Sequence, residues 1–322
     1  MIKFAARRFL IMIPQLFILS IIIFLIAQLM PGDALTGLLD PNLTAEMLQQ
    51  QRYELGLLNP WYVQYWDWMV NIFTRGDFGR SFNFQMPVTQ IIGDRLGNTI
   101  RLSLFTLVVM YAIALPLGII SGRYHDRLVD KIITAYTYIG FGMPVMVMAL
   151  FLLFIFGFGL GWLPTQGSVH PGMAPSMGMA YWWSRLQHLI LPGMSVALIT
   201  TVATVQYLRG EIIDLEQREF IVAVRAKGAN EKRVYNKHIF RNALLPIASV
   251  LGFQLAFLIG GSVLIEQVFS YPGIGTLFIN SIMNRDFPVM NALILLFGTA
   301  TIVGSYLSDV IMMMVDPRIE IE

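Results

Sequence analysis

Six stretches of the chain carry no charged side chain: Phe9–Gly32, Leu102–Gly122, Ile132–Ser184, Leu186–Leu208, Asn242–Ile265 and Phe287–Ser308. Each reaches the roughly 20 residues that a helix needs to cross about 30 Å of hydrocarbon. The stretch from Ile132 is too long for one crossing. Beyond about Phe158 it dissolves into Gly, Pro, Met and Ser, so only its first part should span. Gly140, Gly142 and Pro144 predict a kink in that third span, and Gly260-Gly261 a close approach of helices. The pattern predicts an all-α membrane protein with six transmembrane helices and both termini on one side.

The segments between the runs have a pattern of their own. About 65 residues separate the first two spans and predict a helical segment outside the membrane. Thr44 to Leu55 reads as a short helix closed by Gly56. Asn59-Pro60 then opens a helix with Trp61, Tyr65, Trp68 and Ile72 on one face, and Gly76-Asp-Phe-Gly79 ends it as a turn. That aromatic face reads first as lying on the membrane surface or packing on the spans, with a docking surface for a soluble partner as the alternative. Phe158–Trp183 places Trp162 and Tyr181-Trp-Trp183 where aromatic belts form. In Glu266–Pro288, Tyr271-Pro-Gly-Ile-Gly275 precedes Thr276–Met283, which is too short to span and reads as a re-entrant or surface helix.

Composition agrees with the pattern. The chain is 56% hydrophobic and 13% charged, where a soluble domain carries about 25% charged residues. With the N-terminus inside, fifteen of the 22 basic residues fall on the cytoplasmic side. Both termini are therefore expected in the cytoplasm, and the net charge of +2 is no signal for nucleic acid. Phe9–Gly32 has a longer apolar core than a cleaved signal peptide and no small-x-small site after it, so it reads as a signal-anchor. The absence of Cys excludes disulfides, thiolate zinc sites and cysteine nucleophiles.

The charged segment Arg209–Arg241 stands apart from the rest. Glu211, Asp214 and Glu216 sit at its start, and Arg225 and Lys227 just before Gly228. This polarity suits a helix whose dipole is complemented at both ends. Gly228 then supplies a left-handed stop, and Asn230 caps a second helix running to Arg241, which Pro246 later disturbs. The segment predicts a helix–turn–helix offered to water by a protein otherwise built for lipid.

Catalytic chemistry is not legible. His125, His170, His188 and His238 form no metal motif and read as loop or interface residues. No lysine stands in a phosphate-binding loop, and no Gly-x-Ser-x-Gly elbow occurs. Glu266 and Asp309 fall at helix ends, and no span has a charge at its centre, where ion-coupled carriers usually need one. The polar groups inside the spans are neutral: Gln28, Tyr136, Tyr138, Thr200, Thr201, Thr204, Gln206 and Gln254. Each suits helix packing or a bond to a passing solute, and Tyr136, Thr201, Thr204 and Gln254 are the candidates for a translocation path. A chain of this kind is expected to be moved by a partner.

Phe220-Ile-Val-Ala-Val-Arg-Ala-Lys-Gly228 resembles the cytoplasmic EAA loop of ABC-importer permeases, with Ala223 and Gly228 at the loop's Ala-x-x-x-x-Gly spacing. Val222 stands where the general motif has glutamate, and Leu245-Pro246 comes late; both departures resemble the peptide-transporting branch. The whole chain is similar to the first permease subunit of oligopeptide/dipeptide importers. It carries Pro31-Gly-Asp33, Leu55-Gly-Leu57, Gly76-Asp-Phe-Gly79 with Ser81, Asn98-Thr99 and Gly161-Trp-Leu-Pro164. It also carries His188-Leu-Ile-Leu-Pro192, Arg241 to Pro246, Glu266 with Pro272-Gly273-x-Gly275, Asp286 with Pro288, and Asp316-Pro-Arg318.

The resemblance implies a type I importer permease fold in a bacterial cytoplasmic membrane. Its divisions would be a signal-anchor (1–30), an extracytoplasmic helical segment (31–94), a permease core (95–316, with a coupling loop at 209–244) and a cytoplasmic tail (317–322). The implied partners are a second homologous permease subunit, two ATP-binding subunits, an extracytoplasmic substrate-binding protein and the bilayer. The chain itself would bind no cofactor, with ATP and Mg on the partner subunits, and would be no enzyme. Residues expected against the ATPase are Ala223, Arg225, Ala226, Lys227, Gly228, Ala229, Asn230 and Glu231. The expected substrates are di- and oligopeptides or peptide-like solutes; nickel or another solute of the same branch, or a passive channel, are the alternatives.

Overall fold

Two helices much longer than a membrane is thick organise the chain, and the other spans pack around them. The computed structural model describes residues 2–29, 45–54, 56, 58–261 and 263–315. Among these the backbone is helical apart from turns, loops and one isolated bridge between Arg80 and Pro87. The elements are α1 (Ile2–Leu29), α2 (Ala45–Glu54), α3 (Trp61–Arg75), α4 (Val88–Arg123), α5 (Leu128–Gly142) and α6 (Val145–Leu152). They continue with α7 (Met179–Glu216), α8 (Glu219–Ala226), α9 (Glu231–Arg233), α10 (Phe240–Ala243), α11 (Leu245–Gly261), α12 (Val263–Val268), α13 (Ile274–Met283) and α14 (Phe287–Val315).

The 36 residues of α4 and 38 of α7 make rods of about 54 and 57 Å at about 1.5 Å per residue. Both therefore continue well beyond the hydrocarbon. They touch closely along their length: a Cβ added to Gly193 would lie 2.4 Å from Phe105, one on Gly118 2.9 Å from Leu208 and one on Gly122 2.8 Å from Ile212. The expected division at residue 94/95 falls within α4, which runs unbroken from Val88 to Arg123.

Among the described residues five helices are long and apolar enough to cross a membrane, or six if a bent pair counts as one span. That pair is α5 and the helix from Val145 to Gly159, whose axes turn by 106° at Pro144. Pro144 is extended (φ −61°, ψ 139°) and opens α6, as a residue without an N–H does at a helix start. Of the Gly260-Gly261 pair expected at a close approach, Gly260 meets nothing within 4 Å, and the surroundings of Gly261 lie outside what is described. The approach is made eight residues earlier, where a Cβ on Gly252 of α11 would lie 2.5 Å from the Gly304 carbonyl of α14. Only packing decides which glycine faces a neighbour.

α1 lies along α14. Leu19 fills the space at Gly298, Phe9 meets Tyr306 edge-on, and Arg8 pairs with Asp309 at 3.2 Å. α3 crosses the other half of α1. Tyr65, expected on an exposed aromatic face, is 9% exposed and shares a 2.8 Å hydrogen bond with Ser20. Phe24 packs against both Tyr65 and Trp68. Tyr65 and Trp68 of the face read from the sequence thus pack on a span, while Trp61 is 52% exposed.

At the end of the molecule away from Arg8, two buried carboxylates tie loops to helices. Glu266, read as a helix-end charge, is wholly buried in α12. It accepts from the Thr99 hydroxyl (2.6 Å) and from the N–H groups of Gly275 (2.8 Å) and Thr276 (3.1 Å), capping α13 from another helix. A Cβ on Gly273 would stand 2.3 Å from that carboxyl, which gives the Pro272-Gly273-x-Gly275 motif its physical reason. Asp286 is 1% exposed and accepts from the Ser81 hydroxyl and the N–H groups of Phe82 and Asn83. His188 also departs from expectation: it is 4% exposed within α7, its Nδ1 2.7 Å from the Ser184 carbonyl oxygen.

Candidate functional site

α7 runs on to Glu216 before the chain turns, so Glu211, Asp214 and Glu216 occupy its last turns. They were expected at the start of the elbow's first helix, where they would favour its dipole. The structure corrects this: α8 begins at Glu219, the one acidic residue in its first turn. The sequence has no Gly or Pro at the α7–α8 junction to mark the break. His125 stands 3.9 Å from the Glu216 carboxylate.

The turn itself matches its sequence signals. α8 ends at Ala226, Lys227 leaves the helix, and Gly228 takes φ +79°, a conformation that costs a residue with a Cβ about 1–2 kcal/mol. The Asn230 side chain accepts from the Lys232 N–H at 3.0 Å and caps α9. The second arm then continues through a π-helical stretch, Val234–Ile239, into α10. It breaks only at Leu244, and Pro246 sits in the first turn of α11, where its missing N–H is no loss.

Arg225 and Glu231 join the two arms across this turn. The guanidinium donates twice, Nε to Oε1 at 2.8 Å and a terminal nitrogen to Oε2 at 3.2 Å. This contact holds the Glu231 carboxyl below its ordinary range and raises Arg225 further. Arg225, expected to reach for a partner subunit, already has a partner inside the elbow.

Behind the turn the elbow is anchored. Ile221, Val234 and Ile239 are fully buried against Leu208, Ile212 and Leu215 of α7 and Ile247 of α11. Each such side chain contributes about 1.5–3 kcal/mol when buried. Arg123, at the end of α4, lies over the Tyr235 ring with 4.8 Å to its centroid. Asp130 completes the frame. It is 2% exposed, accepts from Arg209 Nε and a terminal guanidinium nitrogen at 2.7 Å each, and binds the Ser121 hydroxyl and the Asp126 N–H. This knot ties α4, α5 and α7 together two turns before the end of α7 and went unread in the sequence. Its signal was a lone acidic residue beginning a span, opposite an arginine ending one.

The opposite face of the elbow is open. Ala223, Ala226, Lys227, Gly228, Asn230 and Glu231 are exposed, and Arg225 and Ala229 half-buried. Phe220 and Val222 add apolar surface, 43% and 57% exposed. An anchored, capped turn with a mixed apolar and cationic face is suited to fit a groove on another protein.

The four candidate path residues separate. Tyr136 donates to the Leu198 carbonyl at 2.6 Å, and the buried Thr201 donates to the Met110 carbonyl at 3.4 Å, so both join helices. Thr204 and Gln254 come together on a cleft of about 360 Å³ between α4, α7 and α11, with Tyr111, Tyr207 and Pro246. Tyr111 donates to Gln254 there. Tyr111 and Tyr207 were not among the residues singled out from the sequence, since only the packing of α4, α7 and α11 brings them to one cleft. Pro31-Gly-Asp33 and Asp316-Pro-Arg318 lie outside the described residues.

Comparison with known proteins bears on this arrangement. The family described as "Binding-protein-dependent transport system inner membrane component" matches residues 114–321, and its N-terminal companion matches residues 1–103. The oligopeptide transport system permease protein AppB of Bacillus subtilis (strain 168) is 35% identical over 99% of this chain and 100% of its own length. The glutathione transport system permease protein GsiC of Escherichia coli (strain K12) is 32% identical over 99% of both chains. Among solved structures, an inward-facing form of the MetNI methionine ABC transporter is similar with a TM-score of 0.56. It is 14% identical and covers 71% of this chain and 97% of that one, which supports the fold alone. With both parts of the family pattern matched and full-length relatives above 30% identity, the chain belongs to the binding-protein-dependent transport system inner membrane components, the permeases of ABC importers.

Proposed function

We propose that this permease forms half of the translocation path for di- and oligopeptides or peptide-like solutes, in an importer driven by ATP on separate subunits. The observation that carries the reading is the elbow, whose exposed turn at Phe220–Glu231 is anchored to the same helix that lines the cleft. In this reading the elbow and both termini face the cytoplasm. Ala223, Arg225, Ala226, Lys227, Gly228, Ala229, Asn230 and Glu231 meet an ATP-binding subunit, which holds ATP and Mg. A second homologous permease completes the path, and a substrate-binding protein delivers solute from the other side. The chain contributes no catalytic residue.

The geometry supports a mechanical sequence. The Arg225–Glu231 bridge and the Asn230 cap stiffen the turn, so a displacement imposed on it moves both arms together. Ile221 and Val234 pass that displacement to Leu208, Ile212 and Leu215. α7 is one unbroken helix from there to Thr204, so motion at the elbow reaches the cleft without a hinge. Neutral groups such as Thr204, Tyr207 and Gln254 can bond a peptide backbone at about 0.5–1.5 kcal/mol each. A lining that weak tolerates varied side chains and releases solute.

The test uses vesicles holding the whole complex and labelled di- to oligopeptides. Uptake should require ATP hydrolysis and survive collapse of the proton gradient. Gly228→Val should leave the subunits assembled while abolishing most substrate-stimulated hydrolysis. Uptake by this chain alone on a proton gradient would refute the proposal. Nickel uptake without peptide uptake would refute the substrate and leave the mechanism.

A further inference from the structure

Around the wheel of α3, at about 100° per residue, three sectors separate cleanly. Trp61, Tyr65, Trp68 and Ile72 form one sector, of which Tyr65 and Trp68 touch α1 while Trp61, in the first turn, is 52% exposed. Gln64, Asp67, Asn71, Thr74 and Arg75 form a polar sector. The third sector, roughly 120° from the first, is Tyr62, Trp66, Val70 and Phe73. These four are 58%, 66%, 39% and 80% exposed. One sector is thus used in part by α1, one suits water, and a wide aromatic one is exposed among the described residues.

The depth of α3 says what covers that third sector. α1 has Arg8 near one end, and about 30 Å of hydrocarbon from there at about 1.5 Å per residue reaches about residue 28. Gln28 bonds Gln64 at 3.0 Å, a polar pair at that boundary. Phe24, which packs on Tyr65 and Trp68, lies about 6 Å beneath it, and Ser20, which the Tyr65 hydroxyl reaches downward to meet, about 12 Å beneath it. Helices lying in a membrane interface bury their apolar faces about 5–10 Å deep. α1, on which α3 packs, also exposes apolar side chains, with Phe17, Ile18 and Leu25 49%, 56% and 39% exposed. That surface belongs to a span, and lipid is its ordinary neighbour.

We propose that α3 is an in-plane helix set into the leaflet opposite the elbow, with Tyr62, Trp66, Val70 and Phe73 against acyl chains and Asp67, Asn71 and Thr74 in water. The helix widens the footprint of α1 in the bilayer and is no platform for a soluble partner. The inference is independent of the transported solute.

The native chain has no cysteine, so single sites can be spin-labelled in a complex whose other subunits are made cysteine-free. Tyr62→Cys, Trp66→Cys and Phe73→Cys would be compared with Asp67→Cys and Thr74→Cys in reconstituted liposomes. Collisions with oxygen report lipid, and collisions with a water-soluble nickel chelate report solvent. The first three sites should show a higher oxygen-to-nickel ratio than the last two, unchanged by substrate-binding protein. Substrate-stimulated ATP hydrolysis by the same labelled complexes separates assembly from this proposal. Nickel-accessible aromatic sites would overturn it. So would sites shielded from both probes, as beneath a second permease, or sites shielded only when binding protein is added.

Discussion

At the far end Glu266 and Asp286 are 0% and 1% exposed and bound to N–H and hydroxyl groups from other elements, whereas at the elbow Glu231 is exposed and bound to an arginine six residues away. The far-end carboxylates cap α13 and fasten the 81–83 loop, holding the end of α4 and the α12–α13 hairpin as one body. The elbow keeps its anchoring in apolar side chains behind the turn and leaves its polar groups facing outward. One end is built to stay assembled, and the other to be met. Substitutions at the far end should therefore damage stability, and those at the elbow should damage coupling first.

The largest effect is expected from Glu266→Ala. It leaves the Thr99 hydroxyl and the N–H groups of Gly275 and Thr276 without this acceptor, at about 1–3 kcal/mol for each group left unsatisfied. The assembled complex should melt well below wild type, with Glu266→Gln between the two. A wild-type melting temperature for Glu266→Ala would show that the far end is held by packing alone.

Asp130→Asn comes next and sharpens the contrast, because this buried knot belongs to the elbow end. Breaking a buried pair on one side costs about 3–5 kcal/mol, and the lower end is expected because the Arg209 side chain is 24% exposed. The double variant Asp130→Asn, Arg209→Gln should recover part of the stability, since no buried charge is then left alone. Substrate-stimulated hydrolysis should stay impaired in both. Recovery of stimulation together with stability would make the knot a purely structural device.

The spans, the kink and the turn at Gly228 were legible because each rests on local chemistry: run length, a proline and a left-handed glycine. The packing partners were not. Gly260 and Gly252 look alike in sequence, and only the position of α14 shows that Gly252 is the close contact. Tyr65 and Trp68 were placed on one face correctly by period, but their neighbour α1 could not be read from the period. Glu266 looked like a helix-end charge because its partners lie 167 and nine residues away. Arg225 looked available because a bridge across a turn needs the turn's geometry. Within the candidate site, Gly228 and Asn230 followed from rules of local structure, whereas the cleft at Thr204 and Gln254 required three helices to be set side by side.

The smallest effect concerns the exposed bridge, and its sign follows from linkage. Arg225 depresses the Glu231 carboxyl in the folded chain, so the bridge contributes fully above the unfolded carboxyl's ordinary value of about 4.3. Its contribution is lost as pH falls through the depressed folded value. Wild type and Glu231→Gln should therefore differ by a constant small offset from pH 6 to 8. They should converge only in acid, where the wild-type carboxyl also becomes neutral. Exposed pairs contribute little to stability, so the informative readout is substrate-stimulated hydrolysis across that range. A parallel offset would identify the bridge as a stiffener of the turn. A difference that grows or shrinks between pH 6 and 8 would tie Glu231 to a group titrating on the partner surface, and the elbow's charges would then belong to the contact itself.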